Sequence, residues 1–401
     1  MAGCLVSIRL LHVTTVSQSL NFLRGNVRFI QAKGFTIEAI SSYGADLDTF
    51  GAREGIPVHA IEMPRRITPV HDLRSIIALF RYFLKRRPII VHAHTPKGGL
   101  LGMIGATIAR VPVRIYHVRG LPYMTAKGWR KHLLMTTERI SCRLAHRTFC
   151  VSHSLRDVAI SDGICPESKI VVFAGGSGNG VDAAVRFNPD RYTPEETDKE
   201  RCGLNIPADA RVILFVGRIV RDKGIVELAE AWKSIRSEFP DTWLILAGPQ
   251  EPQDPVSPEV IHSLENDARV VMPGNVSNPA VFYALADLVV LPTYREGFPN
   301  VPLEAAAMEV PVIATRIPGC SDAVEDGVTG TLVPSHDADA LADAMRSYLM
   351  NPELRAKHGK AGRKRVVEQF QQEVIWEAMY QEYCRLLREK GLPVPEPVMT
   401  P

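Results

Sequence analysis

The stretch 211–224 reads RVILFVGRIVRDKG, a strand-length run of branched and aromatic apolar residues, then a glycine, then a basic loop leading into a helical pattern. Such a run, with no polar residue alternating through it, is what a strand covered on both faces requires, as in a parallel sheet. Gly217 turns the chain, and Arg218 and Lys223 follow on the loop at the start of the next helix. Two cations beside the free N–H groups of a helix start suit a diphosphate. The bland alternative is a pair of solvated surface charges.

The same rhythm recurs on both sides. Before this stretch come SIRLLHV (7–13), FTIEAIS (35–41), PVHAIEM (57–63), IIVHAHT (89–95), VRIYHVR (113–119) and RTFCVS (147–152). After it come TWLILAG (242–248), RVVMPG (269–274), LVVLPT (288–293) and PVIAT (311–315). Strands alternating with helix-period segments predict two α/β domains of the doubly wound, Rossmann-like kind. Ligands in such sheets bind beyond the carboxyl ends of the strands, so two domains facing each other would define a cleft. The boundaries read as a first domain over 1–190, a polar linker over 191–207 and a second domain over 208–368. A C-terminal helix and tail over 369–401 are expected to cross back to the first domain.

Composition sets the class. A chain of 401 residues, 46% apolar and 23% charged, suits a soluble two-domain protein. No apolar run approaches the roughly 20 residues of a membrane-spanning helix. The opening MAGCLVSIRLLHVTT has no basic leader and is interrupted by Arg9, so it reads as a first strand rather than a secretory signal, and a cytoplasmic protein is expected. Seven cysteines, odd in number and without a CxxC pair, argue against a disulfide framework and a zinc site. The charge is divided: residues 1–190 carry 25 Lys/Arg against 12 Asp/Glu, a balance of +13, and the remainder 22 against 32, a balance of −10. The first half is therefore expected to face something anionic, nucleic acid or a phospholipid surface.

The second stretch with chemistry is EGFPNVPLEA, 296–305, between an apolar strand and a helix. Pro302 fits a first helical turn, which puts Glu304 near the helix start, where a carboxylate is favoured and can accept two hydrogen bonds from a ribose diol. Gly297 permits close backbone approach, and the amides of Phe298, Asn300 and Val301 can point at hydroxyls or phosphate. Glu296 addresses a different part of the ligand. The alternative is a helix flanked by two favourable carboxylates.

From VGRIVRDKG through GNVSNPAVFYALADLVVLPTYREGFPNVPLEAAAMEVPVIATRIPGCSDAVEDGVTGTLVP, the sequence resembles the donor-binding half of glycosyltransferase family 4, retaining enzymes of the GT-B fold. The first half resembles, more loosely, bacterial members that build surface polysaccharide or glycan on a lipid carrier, notably in VRGLPYMTAKGWRK and CVSHSLRD. The resemblance implies that Arg218 and Lys223 hold the donor diphosphate, and that Glu304 holds the ribose. Glu296 and the 298–301 amides would hold the sugar. Gly217, Gly297, Phe298, Pro299, Asn300, Val301, Asn179 and Arg119 are expected to bind substrate. His117 would contact the donor sugar near the reacting carbon, the alternative being a satisfied strand-end histidine. Where the family often carries paired glycines in its first loop, this chain has TTVSQSLNF (14–22).

The implied reaction moves a sugar, expected to be an N-acetylhexosamine or related amino sugar, from a UDP donor to a polyprenyl-diphosphate-linked acceptor. Arg218, Lys223 and Glu296, with His117, are the expected catalytic residues. No carboxylate pair presents itself at hydrolase spacing, so a front-face displacement is the natural mechanism. Two other classes remain open: a nucleotide-sugar epimerase on the same architecture, and a non-catalytic sugar-nucleotide-binding subunit. Lys223→Ala or Glu304→Ala is expected to abolish transfer and leave the fold intact.

Other patterns read as structural. GGSGNG (175–180) is not followed by a helix with the acidic residue of a dinucleotide site, and DLD (46–48) and DAD (337–339) read as helix-start caps. His92 and His94 lie on one face of a strand without a third ligand in view, so no metal and no cofactor are expected. The helices around 74–88 and 127–147 are rich in Arg and Lys and would either rest on an anionic membrane, at the inner face of the plasma membrane, or pack on the core with a solvated basic face. No nucleic-acid-binding module is recognisable.

Overall fold

A computed structural model describes residues 8–252, 254–276 and 278–395. The opening residues 1–7, with Cys4, and the last six of the tail lie outside the described residues. The chain forms two compact units: one of residues 1–179 with 372–401, the other of residues 180–371.

The first unit is built on a seven-stranded parallel sheet ordered β3-β2-β1-β4-β5-β6-β7. Its strands are β1 (Ile8–Val13), β2 (Phe35–Ser41), β3 (Val58–Ala60), β4 (Ile90–His94), β5 (Val113–Val118), β6 (Arg147–Cys150) and β7 (Ile170–Val171). Along β1, β4 and β5 nearly every side chain is buried, as expected of a sheet covered on both faces. The chain order reverses between β1 and β4, whose register pairs His12 with His92. Helix Pro69–Arg86 is held through one face: Ser75, Leu79 and Phe83 are buried, and Tyr82 donates to Glu38 at 2.9 Å while Arg86 binds the same carboxylate.

The C-terminal helix, Gln372–Glu389, belongs to this unit and buries Ile375, Trp376, Met379, Tyr380 and Tyr383. Trp376 Nε1 donates to Asn179 Oδ1 at 2.8 Å, and Asn179 Nδ2 donates to the Arg24 carbonyl at 3.0 Å. One amide thus ties the helix to the loop before the first long helix.

The second unit has six parallel strands ordered β10-β9-β8-β11-β12-β13. They are β8 (Arg211–Val216), β9 (Thr242–Ala247), β10 (Val270–Gly274), β11 (Leu288–Leu291), β12 (Val312–Thr315) and β13 (Gly330–Val333). The order reverses between β8 and β11, so the loops following these two strands leave the sheet as neighbours.

All eleven strands read from the sequence form, and β7 and β13 join them unanticipated. Both are short edge strands whose apolar content is too small to stand out. The domain boundary moves from 190 to 179, and 191–207 is not a free linker. Residues Pro194–Gly203 form a helix begun by a capping box, in which Thr193 and Glu196 satisfy each other's backbone N–H. Arg201 fixes this helix to the second unit through the carbonyls of Ala210, at 2.9 Å, and Leu285, at 3.1 Å. The composition that suggested a linker, polar and proline-bearing, also makes an exposed, well-capped helix. Of the six described cysteines five are buried and Cys202 is exposed, and none of the six is in a disulfide.

Replacing Trp376 by Phe keeps the ring and removes its N–H, leaving the buried Asn179 oxygen unpaired. A destabilisation of about 1–3 kcal/mol is expected, confined to the first of two denaturation transitions when each unit is followed by its own probe.

Candidate active site

In the second unit the chain leaves β8 through Gly217, makes a 3-10 turn at Arg221–Lys223 and enters helix Ile225–Glu238 through Gly224. Gly224 is left-handed, with φ +71°, and a Cβ there would overlap the carbonyl of Pro292. Only glycine lets this turn lie against the loop that follows β11. Asp222 completes the junction: its carbonyl accepts from the Tyr294 amide at 2.9 Å and the Thr293 hydroxyl at 3.2 Å, and its carboxylate binds Arg295 at 2.9 Å.

This junction brings Lys223 and Glu296 together. Their side chains form an ion pair and are both mostly buried, 17% and 14% exposed. Arg218 pairs with Glu251 at 2.8 Å and is about half exposed. The two cations predicted for a diphosphate are thus each held by a carboxylate. Glu296, expected at a different part of a ligand, is the partner of Lys223. Neither spacing nor composition announced that pair, because the residues lie on different loops and meet only where β8 and β11 adjoin.

Helix Asn300–Ala307 begins after Pro299, and Pro302 sits in its first turn as predicted. Glu304 accepts a hydrogen bond from the Tyr283 hydroxyl at 2.8 Å. Burial raises the Glu304 pKa above the usual carboxylate range, and Tyr283 and the positive charge of Arg186 oppose the rise. Tyr283 is fully buried and stacks edge-on against Phe187 at 5.8 Å. Sequence reading missed Tyr283 and Arg186. Tyr283 lies in FYALAD, whose apolar neighbours made it look like core. Gly297 and Phe298 are half-buried on the loop, with Phe298 5.7 Å from Phe370, and Asn300 is exposed at the helix start beside half-buried Val301. Gly217, Arg218, Lys223, Glu296, Glu304 and residues 297–301 are all placed on the loops and helix starts after β8 and β11.

His117, Arg119 and Asn179 belong to the first unit. His117 is on β5, 2% exposed, with its ring stacked on His92 at 5.3 Å and edge-on to Phe149 at 5.8 Å. The ring is enclosed by His92 and Phe149, and its Nδ1 is a buried nitrogen without a hydrogen-bond partner, so it is not the satisfied histidine of the strand-end alternative. The Asn179 amide accepts from Trp376 and donates to the Arg24 carbonyl, two hydrogen bonds within the first unit.

Comparison with known proteins identifies the fold and the class. The family described as Glycosyl transferases group 1 matches residues 196–365, and the Glycosyl transferase 4-like domain matches residues 22–176. The chain is 37% identical over 381 residues to the capsular polysaccharide biosynthesis glycosyltransferase CapM of Staphylococcus aureus, covering 95% of this chain and 98% of CapM. The chain belongs to the group 1, family 4-like glycosyltransferases. It is also 26% identical, over 70% of its length and 71% of the relative's, to the Escherichia coli UDP-Gal:alpha-D-GlcNAc-diphosphoundecaprenol alpha-1,3-galactosyltransferase. Among solved structures, Anabaena HepE in complex with UDP and glucose superposes with a TM-score of 0.78 at 19% identity, over 94% of this chain and 99% of that one. The two Rossmann-like units are therefore those of a GT-B glycosyltransferase.

The Lys223–Glu296 pair revises one expectation. Lys223→Ala is expected to cost stability as well as transfer, because it strands a mostly buried carboxylate. Lys223→Met is expected to destabilise the second unit by about 3 kcal/mol. Adding Glu296→Gln should restore most of that loss. Additive losses in a double-mutant cycle read by chemical denaturation would dismiss the pair as a structural element.

Proposed function

We propose that this transferase moves a sugar, an N-acetylhexosamine or related amino sugar, from a UDP donor to a lipid-diphosphate-linked acceptor, with retention and without a metal ion. The observation that carries the reading is the gathering of Lys223, Glu296 and Glu304 beyond the ends of β8 and β11, the switch point where open α/β sheets bind ligands. HepE is a neighbour solved with UDP, and the Escherichia coli relative is named for a UDP-sugar and a diphosphoundecaprenol acceptor. The amino sugar is carried over from the resemblance to lipid-carrier glycan enzymes, whereas the Escherichia coli relative is named for galactose.

In this reading the donor diphosphate takes the place of carboxylates. Lys223 exchanges Glu296 for phosphate, Arg218 exchanges Glu251, and Glu296 is released toward the sugar hydroxyls. Exchange avoids the desolvation of a bare cation, since each ammonium or guanidinium passes from one anion to another. Glu304, oriented by Tyr283, accepts the ribose hydroxyls. Glu304 is engaged with Tyr283 and Glu296 is assigned to the sugar hydroxyls, which leaves no carboxylate pair for a double displacement and favours a front-face displacement. The anomeric carbon to phosphate-oxygen bond breaks on the face where the acceptor-oxygen bond forms, and the departing phosphate oxygen takes the acceptor's proton. Arg218 and Lys223 absorb the charge that develops on the leaving diphosphate.

The first unit supplies a membrane contact. Helix Pro69–Arg86 turns outward the face opposite its Glu38 anchor, with Val70, Leu73, Ile77 and Leu84 exposed and Arg74, Arg81 and Lys85 exposed beside them. Apolar residues at helical spacing flanked by cations fit an anionic bilayer surface. Trp129 is 74% exposed at the start of helix Gly128–Leu144, next to Lys127, Arg130 and Lys131, as an interfacial anchor would be. No helix among the described residues is long and apolar enough to cross a membrane, and in this reading the contact is peripheral, at the inner face of the plasma membrane.

Calorimetric titration should show selective UDP binding, unaffected by EDTA and weakened in Glu304→Ala. Transfer from the UDP-sugar should fall by about 100-fold or more in Lys223→Met. Binding that requires a divalent ion or ignores Glu304 would remove the metal-free donor assignment.

For the membrane contact, Leu73→Glu with Ile77→Glu is expected to abolish sedimentation with anionic vesicles at low salt while leaving UDP affinity unchanged. Equal sedimentation of wild type and variant would overturn the docking face.

A further inference from the structure

At the switch point of the first sheet, four histidines from three adjacent strands lie together: His12 on β1, His92 and His94 on β4, and His117 on β5. All are buried, from 0% to 2% exposed. The sequence singled out His92 and His94 as a pair lacking a third ligand, and His117 separately as a sugar contact. The fold supplies His12, and the ring nitrogens of His12, His92 and His94 lie within 4.8 Å of one another. A metal is the first thought.

The hydrogen bonds argue otherwise. Arg119 Nε lies 3.3 Å from His94 Nδ1, and a guanidinium can only donate, so His94 Nδ1 is the acceptor. A neutral His94 then carries its proton on Nε2, which faces His12 Nδ1 at 3.0 Å and donates to it. His12 in turn carries its proton on Nε2, a buried nitrogen with no partner. Burial, with the positive charge of Arg119, lowers the His12 pKa to about 3, and the other three are lowered as well, so the rings are neutral. A metal ion would need His94 to give up the nitrogen it donates from, beside an uncompensated guanidinium.

Arg119 is the anomaly. Its Nη2 is buried without a partner, and among the described residues no carboxylate lies within ion-pair distance of it. The guanidinium rests over the Phe22 ring at 4.7 Å and against Gly178, where a Cβ would collide with Nη1. Gly178 comes from GGSGNG, the glycine-rich run that fits no dinucleotide site. Arg119 as a whole is half-buried, but burying part of a guanidinium with no anion beside it is costly, and the cluster around it holds neutral rings and no acid.

We propose that Arg119, oriented by the His94–His12 relay and accommodated by Gly178, binds a phosphate group at the switch point of the first unit. The guanidinium is the binding group, and His94, His12 and Gly178 are positioning residues. The phosphate belongs either to the nucleotide donor or to the lipid-linked acceptor. The choice of diphosphates as probes rests on the transferase reading, whereas the need for an anion does not.

The test is calorimetry at low salt with inorganic pyrophosphate, UDP and farnesyl diphosphate, on wild type, Arg119→Met and Gly178→Ala. Binding requires no turnover, so a failed transfer assay does not decide it. In both variants the affinity for at least one probe should fall about tenfold or more, as loss of a charge-assisted contact does. A fall for UDP assigns the donor phosphate, and a fall for farnesyl diphosphate with UDP unchanged assigns the acceptor phosphate. Arg119→Met should melt no lower than wild type, since it deletes an unpaired cation. Gly178→Ala keeps that cation and displaces it, which covers the case where Arg119→Met fails to fold. If wild type binds pyrophosphate but not UDP, the donor reading falls and the pyrophosphate comparison still decides Arg119. The proposal is overturned if no probe changes by more than about twofold in the folded variants, if wild type binds none of the three, or if it retains stoichiometric zinc that His12→Asn releases.

Discussion

Each sheet places the start of two loops side by side because all its strands run in one direction and the chain order reverses once. Between β8 and β11 that constraint sets the Gly224 turn against the Pro292 carbonyl and lets Asp222 bond both Tyr294 and Arg295. The ion pair between Lys223 and Glu296 follows, as does the direction in which helix Asn300–Ala307 presents Glu304 to Tyr283. No single one of these contacts is strong in isolation. Their effect is cooperative, because each shares backbone with the next and none can shift without the turn at Gly224.

The electrostatic logic differs between the two units. The second is acidic overall, yet it keeps Lys223 and Arg218 at the ends of its central strands, each compensated by a glutamate. Compensation makes the cations tolerable near a partly buried site and leaves an exchange reaction as the route to binding an anion. In the first unit no carboxylate among the described residues lies within ion-pair distance of Arg119, and burial lowers the pKa of the surrounding histidines. Uncompensated charge is rare inside proteins because it is costly, so its presence says more about ligand chemistry than a surface excess of arginines does. The basic balance of the first half has two separate physical sources: solvated cations on helix faces, and this one withdrawn guanidinium.

Much of the fold was legible because both-faces-buried strands write themselves as unbroken apolar runs. RVILFV and LVVL need no context, whereas Ile170–Val171 and Gly330–Val333 are too short and too near the edge to write anything. The segment 191–207 misled for a physical reason, since an exposed helix capped by Thr193 and Glu196 has the polarity of a linker. At the site, charged residues on loops after strands were legible as ligand contacts, and their mutual arrangement was not. The partner of Lys223 lies 73 residues away, and the register that brings it there is a property of the sheet.

His117 and Asn179 show why motif position and side-chain role separate. Both lie where the family pattern puts ligand contacts, near the ends of elements that approach the switch point. Yet the imidazole of His117 is enclosed by His92 and Phe149, and both polar atoms of the Asn179 side chain are consumed by Trp376 and Arg24. His117 still keeps a buried Nδ1 without a partner, so enclosure of its ring, not filled hydrogen-bonding capacity, separates it from Arg119. Two residues further on, half-buried Arg119 donates from Nε to His94, retains an unsatisfied Nη2 and has no carboxylate within ion-pair distance among the described residues. A cation left without a counter-ion at a partly open position is the group of the first unit that an anionic ligand would satisfy.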